Sequence, residues 1–115
     1  MLIDARDQMA WRRRPAEGLY AHLPDLPALD TSDQNALAAY GVPQARAQVR
    51  QRLSHRELHL DGFLVRVDVL PPNCSHGPVG AFLAEGPPTP VARLVRTLLD
   101  EEQAAKTGQG AASSP

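Results

Sequence analysis

The feature that most constrains this chain is a long stretch of period-two alternation over residues 45–70. Val49, Gln51 and Leu53 alternate with Arg50, Arg52 and Ser54; Leu58 and Leu60 with His59 and Asp61; Phe63, Val65, Val67 and Val69 with Leu64, Arg66, Asp68 and Leu70. Successive side chains leave a strand on opposite faces. The pattern therefore predicts antiparallel strands with one face in a core and the other in water. Asp61-Gly62 reads as a tight turn or a bulge within it. Pro71-Pro72 end the sheet, because proline has no N–H to give the ladder. Two shorter apolar bursts, Leu2-Ile3 and Met9-Ala10-Trp11, predict strands near 1–4 and 8–13, as a hairpin or as one bulged strand, stopped by Pro15.

A sheet of this kind needs an apolar partner. Thr89 suits an N-cap and Pro90 the first helical position, and Val91, Leu94, Val95, Leu98 and Leu99 then recur on one helical face. A shorter helix is expected after Thr31-Ser32-Asp33-Gln34, which fits a capping box. Ala36, Leu37 and Tyr40 form its stripe, Gly41 an αL cap, and Pro43 its stop. Residues 18–27 read as a loop whose leucines, with Leu29, pack on the core. Residues 71–90 read as irregular, with room for one edge strand or turn. Trp11 and Tyr20 read as core residues. The Ala, Gly, Ser and Gln of residues 103–115 predict a disordered tail. The expected fold class is α+β: one domain over residues 1–102, a small mixed or antiparallel sheet, and two helices.

Length and composition narrow the function classes. The chain's 115 residues suit one domain. Its lone cysteine, Cys74, excludes a disulfide framework or an all-cysteine cluster within this chain. No apolar run is long enough to span a bilayer, and Met1-Leu2-Ile3-Asp4 does not open a secretory signal, so the cytosol is the expected compartment. A net charge of −1 argues against a bulk polycation, but arginine supplies 11 of the 12 basic residues, in two groups. Arg12, Arg13 and Arg14 are consecutive; Arg46, Arg50, Arg52 and Arg56 share one stretch. Each group reads either as solvated surface or as a patch facing phosphates, which guanidinium forks match well.

No residue pattern points to catalysis. Cys74 and His76 lack a third ligand at useful spacing, and His55 and His59 lie on predicted strand rather than on one helix face. Ser54 and His55, as strand neighbours, point apart and form no dyad. No glycine-rich phosphate loop is present. Neither catalytic nor metal-ligating residues are expected.

The helix Gln34-Asn35-Ala36-Leu37-Ala38-Ala39-Tyr40-Gly41-Val42 resembles the helical half of the Nudix box, R-E-U-x-E-E-x-G-U with U apolar. Asn35, Ala38 and Ala39 stand where that family has the glutamates that hold Mg²⁺, and alanine offers no oxygen ligand. Three further segments, in order, resemble the C-terminal domain of A/G-specific adenine DNA glycosylases, the MutY family. Residues 13–27, Arg13-Arg14-Pro15-Ala16-Glu17-Gly18-Leu19-Tyr20-Ala21-His22-Leu23-Pro24-Asp25-Leu26-Pro27, look like R-R-P-x-x-G-L-L-A-G-L-W-E-F-P. Leu53-Ser54-His55-Arg56-Glu57-Leu58-His59-Leu60 looks like F-S-H-x-x-L-x-L. Gly86-Pro87-Pro88-Thr89-Pro90-Val91-Ala92-Arg93-Leu94-Val95 resembles G-L-P-x-P-V-x-x-L-L. The chain departs from the family at His22, for glycine; at Pro24, for tryptophan; and at Leu53, for phenylalanine.

The resemblance implies a Nudix-like sandwich that has lost hydrolase activity. It implies a non-catalytic module that reads 8-oxoguanine opposite adenine in base excision repair. In the family, the adenine is excised by a separate helical domain with an iron–sulfur cluster. That domain is not part of this chain, so no cofactor is expected here. The partners implied are duplex DNA carrying 8-oxoguanine:adenine and a separate glycosylase catalytic domain, with no membrane and a cytoplasmic, nucleoid-associated location. Ser54 stands at the family's serine. 8-Oxoguanine differs from guanine by a C8 carbonyl and an N7–H, and a hydroxyl can donate to the first or accept from the second. Leu53 would wedge beside the base pair. His55 would orient the loop or reach a phosphate, and Arg52 and Arg56 would meet phosphates. The alternative is a Nudix-type nucleoside diphosphate hydrolase with a rewired or lost metal site.

Overall fold

The computed structural model describes residues 1–28 and 34–112. Among the described residues, six strands and three helical segments follow in the order β1 (Leu2–Ile3), β2 (Gln8–Arg13), β3 (Pro24–Asp25), α1 (Gln34–Ala38), β4 (Pro43–Arg52), β5 (Glu57–Arg66), β6 (Ser75–Pro78), α2 (Val79–Ala84) and α3 (Thr89–Ala112). The sheet runs β3-β2-β1-β5-β4, with β6 on the other edge of β2. It is mixed, because β1 pairs parallel to β5 through Leu2↔Val65 and Ile3↔Arg66 while the other pairs are antiparallel. The class is α+β.

The opening strands form a hairpin. Asp4 closes it, its carboxylate accepting the backbone N–H of Arg6 at 2.9 Å and of Gln8 at 3.0 Å. β4 and β5 form the longest ladder, from Pro43↔Val65 to Arg52↔Glu57. Ala45, Ala47 and Val49 of β4 share a face with Leu60, Gly62 and Leu64 of β5, and α3 lies over it with Val91, Leu94, Val95 and Leu98. Gly62 is the closest approach. A Cβ there would fall 2.7 Å from Leu94 Cδ2, so the strand stays bare at that point to let the helix in. Asp61-Gly62 is therefore neither a turn nor a bulge; it is mid-strand, opposite Gln48 and Ala47.

A second cluster, Leu2, Ala10, Val65 and Leu70, fills the opposite face of the sheet. Burial on both sides explains why Leu2-Ile3, Met9-Ala10-Trp11 and Leu64-Val65 are buried as consecutive runs. Phe63 and Val65 therefore share the second face, while Leu64 lies on the first. β5 ends at Arg66, and Val69 lies beyond it, 81% exposed.

Several features differ from the sequence reading. β6 and α2 occupy part of the stretch expected to be irregular; β6 pairs with β2, and Phe82 of α2 packs on Trp11 at 5.5 Å. Tyr20 is only half-buried, in a turn where its φ is 59°. α3 runs on to Ala112, where a disordered tail was expected from residue 103. Ala, Gln and Lys are good helix formers, Glu102 just before the stretch is anchored to Arg66, and Lys106 one turn on lies 3.7 Å from Glu102. α1 stops at Ala38, short of Gly41, whose φ is 133°. Thr31, Ser32 and Asp33 of the expected capping box lie outside the described residues, as does Leu29. No helix among the described residues is long and apolar enough to cross a membrane.

Candidate nucleic-acid interface

The five residues singled out from the sequence form the tip of the β4–β5 hairpin. Arg52 is the last residue of β4, paired with Glu57, the first of β5. Leu53 to Arg56 make the turn, closed by the Leu53 N–H donating to the Arg56 carbonyl at 2.7 Å. Ser54 and His55 are therefore turn residues, not strand residues as their alternation suggested. No Gly, Asn or Pro marks the turn, and neither residue has a positive φ, so the usual signals for a reversal are missing. The backbone bond closes the loop; among the described residues the His55 imidazole takes no part in holding it.

Arg52, Ser54, His55 and Arg56 are exposed, and Leu53 is half-buried. With Glu57 they line an open cup of about 520 Å³. Contiguity in sequence makes their proximity automatic. What the fold adds is projection: a hydroxyl at the end of a long two-stranded ribbon, with the rest of the molecule behind it. The Ser54 hydroxyl has no hydrogen-bond partner among the described residues, so both its donor and its acceptor capacity are available.

The two arginine groups behave differently. Arg13 donates to Glu85 and to the His22 carbonyl, both at 3.1 Å. Arg14 pairs with Asp25 at 2.6 Å and donates to the Leu19 carbonyl at 2.9 Å. These arginines clamp the residue 18–27 loop to β2, a structural task. The loop needs a clamp, since it carries Tyr20 and His22 in the left-handed region, at φ 59° and 63°. In the second group, Arg46 is forked onto Asp61 at 3.1 and 2.9 Å and lies over the Phe63 ring at 5.2 Å. The Asp61 bond raises the Arg46 pKa further. Arg50, Arg52 and Arg56 have no ion pair among the described residues. Glu57, the carboxylate beside them, leans toward His59 at 3.7 Å.

A second concavity of about 290 Å³ opens where β1 begins, between β5 and the chain after β3, with Leu2, Leu26, Tyr40, Leu60 and Leu94 in its wall. Met1 lies there, its α-amine donating to the Phe63 carbonyl at 2.6 Å; burial pushes that amine down to about 6. Cys74 is a free, half-buried thiol packed against the Leu2 cluster. His76 Nε2 lies 2.6 Å from the Pro71 carbonyl. Among the described residues, no group of three or more His, Cys, Asp or Glu is placed to hold a metal ion. Comparison with protein-family models, with curated proteins and with solved structures finds no match to this chain.

Proposed function

We propose that this chain is a non-catalytic DNA-lesion recognition module, with a Nudix-like sandwich fold, that reads 8-oxoguanine opposite adenine through the β4–β5 hairpin tip. The observation that carries the reading is the state of that tip. Ser54 is exposed with its hydroxyl uncommitted, between arginines that have no ion pair among the described residues, while the arginines at 13 and 14 are consumed in holding a loop. A second observation supports the resemblance behind it. His22 stands where the resembled stretch carries glycine, and its φ of 63° is a glycine-favouring conformation. On this reading Ser54 contacts the lesion, Leu53 wedges beside the pair, and Arg52, Arg56 and His55 hold phosphates. The proposed partners are duplex DNA and a separate glycosylase catalytic domain, and the proposed location is the nucleoid. The hydrolase alternative gains no ligand from α1, whose residues Gln34–Ala38 include no carboxylate.

The test is affinity for matched duplexes carrying 8-oxoguanine:adenine or guanine:cytosine, at one fixed salt concentration. Ser54→Ala should reduce the preference by about 1–3 kcal/mol, the scale of one lost polar contact. Arg52→Ala should weaken both duplexes alike, because a phosphate contact carries no base information. Equal affinity of the parent chain for the two duplexes sinks the proposal.

A further inference from the structure

Of the 11 arginines, Arg13, Arg14, Arg46 and Arg66 are held in salt bridges. Five of those without an ion pair among the described residues cluster on two adjacent elements: Arg50, Arg52 and Arg56 on the hairpin, Arg93 and Arg96 on α3. The fold brings these together. β4 is the outermost strand of the sheet, so one of its edges is unpaired. Arg93 Nη1 lies 3.5 Å from the Arg50 carbonyl, a long contact that brings the guanidinium to that edge without consuming its remaining donors. Arg96 is exposed about one helical turn further on.

The charge along α3 is polarised. Its first half packs on the β4–β5 ladder, through Leu94 against Gly62 at mid-strand and Arg93 against Arg50 nearer the hairpin. Its acidic residues, Asp100, Glu101 and Glu102, follow in the middle of the helix, where Glu102 meets Arg66 at the end of β5. Charge on an edge strand also discourages pairing with another strand, which would account for Arg50 and Arg52 alone. It does not account for two further arginines on a helix that already packs an apolar face elsewhere.

We propose that Arg50, Arg93 and Arg96 extend the hairpin tip into a composite track, running round the free edge of β4, that binds the phosphodiester backbone of duplex DNA. Resting on the lesion-reading function above, this adds the helix as a second element of the interface. Chemistry favours a phosphate partner: guanidinium forks match phosphate oxygens, and Arg50 and Arg52, two residues apart on β4, share one face of the strand.

The experiment compares the full chain with the Arg93→Gln/Arg96→Gln double variant and with Arg52→Gln. Binding to a guanine:cytosine duplex is titrated against salt concentration. Two lost phosphate contacts should reduce the magnitude of the log–log salt slope by about 1.8, so the affinity lost between about 50 and 200 mM salt shrinks roughly tenfold. The ratio of 8-oxoguanine:adenine to guanine:cytosine affinity should be unchanged in the double variant, with thermal unfolding confirming that it folds. An unaltered slope in the double variant, while Arg52→Gln alters it, overturns the helix track and leaves the hairpin reading standing. No discrimination between duplexes by the parent chain overturns the reading itself. Tighter binding to a single strand or to duplex RNA at equal salt overturns the assignment to duplex DNA.

Discussion

Replacing Arg66 with methionine should cost the fold about 3–5 kcal/mol, the range for stranding one member of a buried ion pair. Its guanidinium joins three parts of the chain. Nε and Nη2 donate to the two oxygens of Glu102 at 3.0 and 2.7 Å, and Nη1 donates to the Asp4 carbonyl at 3.0 Å and to Asp7 at 2.7 Å. Glu102 is 5% exposed, and its other cation, Lys106, is 3.7 Å away on an exposed stem. The Arg66 bond holds the Glu102 carboxyl below its ordinary pKa, against burial, which pushes it up. Without Arg66 the burial remains and the main compensation is gone. The reverse deletion is milder. Glu102→Leu leaves Arg66 with Asp7 and the Asp4 carbonyl and should cost about 1–2 kcal/mol. The Arg66→Met/Glu102→Leu pair should be more stable than Arg66→Met alone, because no charge is left without its counterion. The pH dependence has a definite sign. A depressed carboxylate pKa contributes stability above the unfolded value of about 4.3 and loses it as pH falls, so the gap between parent and Arg66→Met should close toward acid. Trp11, the sole tryptophan, is buried against Phe82 and reports urea unfolding by its fluorescence. An Arg66→Met variant within about 0.5 kcal/mol of the parent at neutral pH would behave as a surface substitution and would refute the reasoning.

Three further outcomes follow from single positions. Gly62→Val should destabilise by about 1–3 kcal/mol through overpacking against Leu94, with partial recovery on adding Leu94→Ala; a neutral single variant would mean the helix is not seated on that strand. His22→Gly should match or exceed the parent's stability by up to about 1 kcal/mol, since it relieves a left-handed residue, whereas Ala21→Gly should cost about 0.5–1 kcal/mol; equal losses at both positions in chemical denaturation would contradict the φ assignment. The Met1 amine, lowered by burial from 8.0 to about 6, binds fewer protons folded than unfolded between those values. Thermal stability should thus rise from pH 6 to 8 by up to about 2–3 kcal/mol, and acetylating the amine should remove that rise; a slope that survives acetylation would place its origin elsewhere.

The strands were legible from alternation, but their phase was not. Period two shows which residues share a face. It does not say whether the other face is wet, and near β1 both faces are covered, so Val65 and Leu64 are equally buried. The hairpin reversal was invisible because Leu53 to Arg56 carries none of the residues that ordinarily mark a turn. α3 was read correctly at its start, where proline and the leucine stripe act together. Its continuation past residue 102 is not legible, because composition alone cannot register the Arg66–Glu102 bond that anchors the helix just before it and joins residues distant in sequence. The same holds for the arginines. The runs looked alike in sequence, and only tertiary partners separate Arg13 and Arg14, which hold a loop, from Arg50, Arg52 and Arg56, whose guanidinia carry no ion pair among the described residues.

The lesion-reading account is tested most directly by following the backbone amide signals of the isotopically labelled chain as an 8-oxoguanine:adenine duplex is added. Signals from Leu53, Ser54, His55 and Arg56 should move first and furthest, and Ser54 should move less with a guanine:cytosine duplex of the same length. Amides at the hairpin tip that stay still while another surface responds, or a Ser54 signal that responds identically to both duplexes, would contradict it.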